Sequence, residues 1–157
     1  MFKKIYCLSV LGLSVISVQA KDLQTYLEEG KFKQATEKFG QAETNKATFS
    51  KVICKLGSSV QAMQQSLYKY GMRYNDDIGI GLSLPLPENP NPEEVSYKKV
   101  REIIETFHED LHEMEAMMKN LKEEDFYLPL DLTKVRFDIN NDGRASAEES
   151  SMALFLR

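Results

Sequence analysis

Two long stripes of apolar residues constrain the fold of this chain more than any other feature of the sequence. They occupy residues 49–70 and 100–121, and their members recur in steps of three and four. The stripes are Phe49, Ile53, Leu56, Val60, Met63, Leu67 and Tyr70, and then Val100, Ile103 or Ile104, Phe107, Leu111, Met114, Met118 and Leu121. This period places apolar side chains on one face of an α-helix. We therefore predict two long helices that pack together antiparallel.

The connection between the two stripes contains strong helix breakers. Gly57 lies inside the first long helix, where glycine costs about 1 kcal/mol of helix propensity relative to alanine, and Gly71 is the predicted stop. Residues 72–92 are rich in glycine and proline and cannot continue a helix, which predicts a crossover strap. Asn91 is the predicted cap of the second long helix, with Pro92 in its first turn.

A shorter helical pattern precedes the first stripe. Asp22 can cap a helix that ends at Gly30, and a second short helix follows, with its apolar residues at Phe32, Ala35, Phe39 and Ala42. Residues 23–42 resemble the middle of a tetratricopeptide repeat, with Tyr26, Phe32 and Phe39 as bulky residues and Ala35 and Ala42 as small ones. The resemblance implies a helical hairpin and a protein-binding role, although a stable stack needs about three repeats.

The first twenty residues have the pattern of a cleaved secretory signal. Lys3 and Lys4 precede an apolar run over residues 5–18, and small residues follow at the predicted cleavage site, Val18-Gln19-Ala20. The run is too short to span a bilayer comfortably. We therefore predict an exported protein, periplasmic or secreted, with no membrane association after cleavage.

The net charge of the exported chain limits its partners, and its cysteine content limits its disulfides. Cleavage removes two lysines and no acid from a net charge of −4, which leaves −6 and argues against nucleic acid and anionic membranes. Cys54 is the one cysteine left after cleavage, so an internal disulfide is excluded. Its place in an apolar stripe favours a buried, inert thiol, and an intermolecular disulfide is the alternative.

The clearest chemical motif is the segment Asp138-Ile-Asn-Asn-Asp-Gly-Arg-Ala-Ser-Ala-Glu-Glu149. It matches the pattern D-x-[DN]-x-[DN]-G-x5-E of a calcium loop, in which alternate residues of a tight turn supply the six to eight oxygen ligands that Ca²⁺ requires. Gly143 allows the sharp turn. The predicted ligands are the side chains of Asp138, Asn140, Asp142, Ser146 and Glu149 and the carbonyl oxygen of Arg144.

These residues resemble the EF-hand family, in particular its bacterial exported members with a single loop on a helical scaffold. They also resemble one half of a dockerin repeat, which lacks a full entering helix, but the chain has no second copy. Ala145 stands where the family has a branched apolar residue, and the exit helix, predicted from Ser150 to Arg157, is short. With three carboxylates and no paired loop, we expect a dissociation constant on the order of 10⁻⁴ M or weaker.

A second metal motif lies in the second long helix. His108-Glu109-Asp110-Leu111-His112 matches H-E-x-x-H, in which two histidines one helical turn apart bind zinc and the glutamate activates a bound water. No third ligand follows it, and the surrounding acidic residues make a chance match common. A solvated acidic helix face is therefore the favoured interpretation, and a zinc-dependent hydrolase is the alternative.

Together these patterns predict an all-α fold, a small helical bundle made of a short hairpin and two long antiparallel helices. The predicted organisation is a signal peptide over residues 1–20, the bundle over residues 21–125 and an EF-hand segment over residues 126–157. The predicted function is calcium binding with a structural or modulatory role and no catalysis. The alternatives are the zinc hydrolase and a helical-repeat adaptor that binds a protein partner.

Overall fold

A computed structural model describes residues 22–39, 44–72, 86–121 and 127–150. Four α-helices account for most of these residues: α1 (residues 22–28), α2 (Phe32–Phe39), α3 (Asn45–Lys69) and α4 (Tyr97–Lys119). Two 3₁₀ turns, Leu132–Lys134 and Ala147–Glu149, follow them. No named strand occurs in this part of the chain, and one isolated bridge joins Arg136 to Ser150. The predicted all-α bundle is confirmed.

Helices α1 and α2 form the predicted hairpin. The chain reverses at Gly30, whose φ of 65° lies in the left-handed region that glycine adopts at little cost. Leu23, Leu27, Phe32 and Ala35 are almost completely buried, so the hairpin directs one face into the core. Described helices are neither long enough nor apolar enough to cross a membrane.

Helices α3 and α4 pack antiparallel, as predicted. Lys55, in the first half of α3, pairs with Asp110, in the second half of α4 (Nζ to Oδ1, 3.0 Å), and the Ser59 hydroxyl donates to the same carboxylate (2.6 Å). At the opposite end of α3, Lys69 pairs with Glu93, which precedes α4 (3.2 Å). Thr44 caps α3 by accepting a hydrogen bond from the N–H of Ala47 (3.2 Å).

The predicted start of the second long helix is wrong. Helix α4 begins at Tyr97, and its cap is Ser96, whose hydroxyl accepts from the N–H of Lys99 (3.3 Å). Asn91 instead donates its N–H to Asn89 Oδ1 (2.9 Å), and the Asn89 amide donates to the carbonyl of Tyr68 (2.9 Å). The Asn89 amide thus satisfies a carbonyl at the end of α3, while Asn89 Oδ1 accepts the N–H of Asn91 within the strap. The rest of the predicted strap, residues 73–85, lies outside the described residues.

The hydrophobic core joins the hairpin, α3 and the C-terminal segment. Val135, Phe137 and Ile139 are buried in the same cluster as Leu23 and the rest of the hairpin face. The Phe137 ring stacks on that of Phe32 with centroids 5.4 Å apart. Residues 127–150 therefore share one core with the helices that precede them.

The two long helices are buried to different extents. Cys54 is fully buried, and burial raises the pKa of its thiol to about 12, which keeps it protonated at neutral pH. In α4, by contrast, Met114 is the single buried residue. The second stripe is therefore covered by α3 along one edge only.

Candidate metal centre

The segment that leads into the predicted calcium loop is held by α1. The Gln24 side chain accepts from the N–H of Asp131 (2.8 Å) and donates to the carbonyl of the same residue (3.0 Å). The N–H of Arg136 then donates to the carbonyl of Leu27 at the end of α1 (3.1 Å). The loop is thus entered by a 3₁₀ turn and an extended segment, with no α-helix between residues 127 and 138.

Helix α3 holds the first residue of the loop. The Oε1 atom of Gln61 accepts from the N–H of Asp138 (2.9 Å), and the Nε2 atom of Gln65 donates to the carbonyl of Asp138 (2.6 Å). Residues four apart on a helix lie on the same face, so one face of α3 binds both polar groups of Asp138. We call Gln61 and Gln65 the glutamine clamp.

The side chains predicted to bind the ion turn their oxygen atoms toward the backbone of the loop. Asp138 accepts from the N–H groups of Asp142 (Oδ1, 3.0 Å) and Gly143 (Oδ2, 3.0 Å). Asn140 Oδ1 accepts from the same N–H of Asp142 (2.9 Å), and Asp142 Oδ1 accepts from the N–H of Arg144 (2.8 Å). Oxygen atoms from Asp138 and Asn140 therefore converge on one nitrogen, as expected for a tightly wound turn.

Two residues of the turn have left-handed backbone conformations. Gly143 has a φ of 85° and Asn141 has a φ of 60°. Glycine adopts this region freely, and asparagine is among the residues that tolerate it best. The predicted role of Gly143 in the sharp turn agrees with this backbone angle.

The twelfth residue of the motif folds back to the start of the loop. Glu149 is 5% exposed, and its Oε1 atom accepts from the N–H groups of Ile139 (2.8 Å) and Asn140 (3.3 Å). Its Oε2 atom accepts from the N–H of Ser146 (2.8 Å). Across the described ranges, no basic side chain forms a salt bridge with this carboxylate. In that part of the chain, the partners of the Glu149 carboxylate are therefore backbone N–H groups.

The chain leaves the loop differently from the prediction. Glu149 ends a 3₁₀ turn, and Ser150 is extended, with φ −74° and ψ 150°. The N–H of Phe137 donates to the carbonyl of Glu149 (3.0 Å), and Arg136 and Ser150 form the antiparallel bridge. A helix starting at Ser150 is thus wrong at its first residue, because pairing with the entering segment holds that residue extended. Residues 151–157 lie outside the described residues.

The remaining predicted ligands occupy the outer part of the loop. Arg144 and Ser146 are exposed, and the N–H groups of both are hydrogen-bonded to carboxylates of the loop. Where the structure describes the chain, no three His, Cys, Asp or Glu side chains form a group that could hold a metal ion. The carboxylates of Asp138, Asp142 and Glu149 instead all accept backbone N–H groups.

The histidines of the H-E-x-x-H motif lie on the solvent-exposed side of α4. The rings of His108 and His112 meet edge to face with centroids 4.4 Å apart, and His112 Nδ1 is 3.6 Å from Glu115 Oε2. Glu109 is exposed beside them. The motif thus brings two histidines together, and no described third His, Cys, Asp or Glu completes a group around them.

Comparison with protein-family models, with curated proteins and with solved structures finds no match to this chain. Its function is therefore inferred from its own residues.

Two features of the site had no clear signal in the sequence. The glutamine clamp joins residues 61 and 65 to residue 138, and a contact over that distance has no local pattern. Gly30 is the second feature: a Cβ atom there would lie 2.8 Å from the Cβ of Ala145 and 3.3 Å from the carbonyl oxygen of Arg136. The small residue at position 145, which departs from the EF-hand pattern, is therefore matched to a close approach between the loop and the hairpin.

Proposed function

We propose that this protein binds one calcium ion in the loop of residues 138–149, and that the bound ion stabilises the fold. The position of Glu149 carries the proposal. Its buried carboxylate lies against the N–H groups of Ile139 and Asn140, so the last predicted ligand has been brought back to the first turn of the loop. A capping box on its own explains the bond to Ser146, but it does not require this return.

The donor set matches the chemistry of calcium. The predicted ligands include three carboxylates and one side-chain amide carbonyl within twelve residues, and hard oxygen donors of this kind are the ligands that Ca²⁺ prefers. Each carboxylate oxygen has two lone pairs, so an oxygen that accepts one N–H group keeps a second lone pair for a cation. The hydrogen bonds of Asp138 and Asp142, and that of Glu149 Oε2, therefore leave a lone pair on each accepting oxygen. Glu149 Oε1 accepts two N–H groups, so it would exchange one of them for the ion.

The proposed site would act mainly on stability. Val135, Phe137 and Ile139 belong to the core, so an ion that fixes the loop stabilises the whole folded state. Export, proposed from the first twenty residues, would place this weak site where calcium is plentiful. No nucleophile–base pair accompanies the loop in the sequence, so we propose no catalytic role.

Thermal unfolding in calcium and in chelator tests this proposal. With a dissociation constant on the order of 10⁻⁴ M, calcium at a hundred times that concentration should stabilise the folded state by about 2.7 kcal/mol. The Glu149→Gln variant should lose this response because it lacks the charge and one of the two ligating oxygens. Glu37→Gln, at an exposed position of α2, is the matched control and should respond normally. A wild-type protein with the same melting temperature in both solutions would contradict the proposal.

Metal analysis separates calcium binding from the zinc hydrolase. The paired rings of His108 and His112 are the observation that favours the hydrolase as the second candidate. Stoichiometric zinc in the purified protein, lost in His112→Ala and retained in Glu149→Gln, would support it. For calcium we expect binding that is retained in His112→Ala and lost in Glu149→Gln.

A further inference from the structure

Helix α4 carries a row of apolar residues that the described part of the chain leaves partly or largely exposed. Tyr97, Ile104, Leu111 and Met118 follow one another at intervals of seven residues and are 82%, 61%, 41% and 47% exposed. Seven residues are close to two turns of an α-helix, so the four side chains lie in one row about 32 Å long. We call this row the α4 stripe. Exposed apolar side chains that recur along one helix face are a candidate site of association.

The α4 stripe is separate from the face of α4 that packs on α3. Ile103, Thr106, Phe107 and Asp110 line the groove between the two helices, and Met114 is buried. At 100° per residue, the α4 stripe lies roughly a quarter turn away from that groove. It can therefore receive another helix without displacing α3.

The charges beside the α4 stripe show which helix fits it. Arg101 lies one turn after Tyr97, on the outer edge of the row, and Glu115 lies one turn after Leu111 on the same edge. Both are well exposed, and each now pairs within α4: Arg101 with Glu105 (2.7 Å) and Glu115 with Lys119 (2.8 Å). The basic end and the acidic end of one helix edge complement each other when two copies of that helix run antiparallel.

We propose that two copies of this protein associate through the α4 stripe, with their α4 helices antiparallel about a two-fold axis near residue 108. In this register Ile104 lies opposite Leu111 of the second copy, and Tyr97 lies opposite Met118. Arg101 then faces Glu115 of the second copy, and the same pair recurs on the other side of the axis. A two-fold axis makes one patch complementary to itself, which is the commonest symmetry of protein dimers.

The association is a weak one. One helix face buries less than the roughly 800 Å² per partner of a standard interface. Sedimentation of the purified protein at concentrations from about 1 to about 200 μM should therefore cover the range in which monomer and dimer coexist. Replacing an apolar residue at the centre of such an interface by a charge should weaken the dimer at least ~10-fold. We expect this for Ile104→Glu, whereas Leu132→Glu, at an equally exposed residue outside α4, should dimerise as the wild type does.

Charge reversal tests the antiparallel register. Arg101→Glu places two glutamates opposite each other at both ends, and Glu115→Arg does the same with two arginines, so each variant should dissociate more readily than the wild type. The double variant Arg101→Glu/Glu115→Arg restores both pairs and should recover the wild-type equilibrium. All these residues are exposed, so circular dichroism should show unchanged helicity.

Two outcomes would overturn the proposal. One is a wild-type protein that stays monomeric over the whole concentration range, which would leave the α4 stripe to a different partner. The other is a dimer that Ile104→Glu and the single charge reversals leave unchanged. Calcium binding is measured separately in the same variants, so failure of the dimer and failure of the calcium proposal are distinguishable.

Discussion

At Asp138, two side chains of α3 satisfy the N–H and the carbonyl of a single residue. The glutamine clamp fixes the backbone from which the first predicted calcium ligand extends. Side chains that support a metal ligand in this way commonly change metal affinity by 10–100-fold when they are removed. The clamp also ties the loop to α3, the longest of the described helices.

Removing one arm of the clamp should affect both stability and calcium binding. In Gln65→Ala the carbonyl of Asp138 loses its hydrogen bond, which should lower the free energy of unfolding by about 1 kcal/mol and weaken calcium binding about 10-fold. Urea unfolding and calcium titration measure the two effects. Gln34→Ala, at an exposed position of α2, is the control and should change neither quantity. Unchanged calcium affinity in Gln65→Ala would show that the clamp does not position the ligand.

At the scale of the elements, Gly57 has a packing role that outweighs its helix propensity. A Cβ atom at this position would overlap the ring of Phe32, which is itself buried and stacked on Phe137. The glycine therefore lets α2 and the C-terminal segment approach α3. By helix propensity alone, this glycine would destabilise α3 by about 1 kcal/mol relative to alanine.

Substitution of Gly57 by alanine should destabilise the protein. Overpacking against a buried ring costs about 1–3 kcal/mol, which exceeds the gain in propensity, so we expect a lower free energy of unfolding for Gly57→Ala. The neighbouring Ser58→Ala gains propensity without this clash and serves as the control in urea unfolding. A Gly57→Ala protein more stable than the wild type would contradict the packing account.

The contact between α3 and α4 should depend on pH through Asp110. Burial alone would raise the pKa of this carboxyl, but hydrogen bonds from Ser59 and Lys55 outweigh it and hold the pKa below the ordinary value of 3.8. Because the folded-state pKa is the lower one, the stabilisation is present above about pH 4 and is lost as the pH falls through the folded-state value.

The variant Asp110→Asn isolates this effect. It removes the ion pair with Lys55 but keeps an acceptor for Ser59, so at pH 7 it should be less stable by about 1 kcal/mol. At pH 3 the difference from the wild type should shrink, because the carboxyl of the unfolded wild type is then largely protonated and the unfolded state gains from it. Urea unfolding at the two pH values measures both differences. A difference that grows on acidification would contradict this assignment.

For the whole molecule, the decisive feature is that the proposed calcium loop and the helical bundle share one core. Val135 and Phe137 lead into the loop, Ile139 is its second residue, and all three are buried in one cluster with residues of α1, α2 and α3. A change in the loop is therefore transmitted to the bundle through packed side chains. We therefore predict a single cooperative unfolding transition, both in calcium and in chelator. Neither the loop nor the helical bundle keeps its core when the other unfolds.

The sequence predicted the features of this fold that depend on local periodicity. Both long helices, the hairpin and the turn at Gly143 follow from spacing and residue type alone. The start of α4 was predicted wrongly because Asn89 bonds to the end of α3 and accepts the N–H of Asn91, a contact that no local pattern encodes. The glutamine clamp and the close approach at Gly30 were missed for the same reason. The sequence also left open which isoleucine faces α3, and it is Ile103.

Calorimetric titration of calcium into the purified protein tests the central claim most directly. We predict saturable binding of one ion per chain, with a dissociation constant on the order of 10⁻⁴ M, and its loss in both Asp138→Asn and Glu149→Gln. Absence of saturable binding at millimolar calcium would contradict the account, and so would binding that both variants retain.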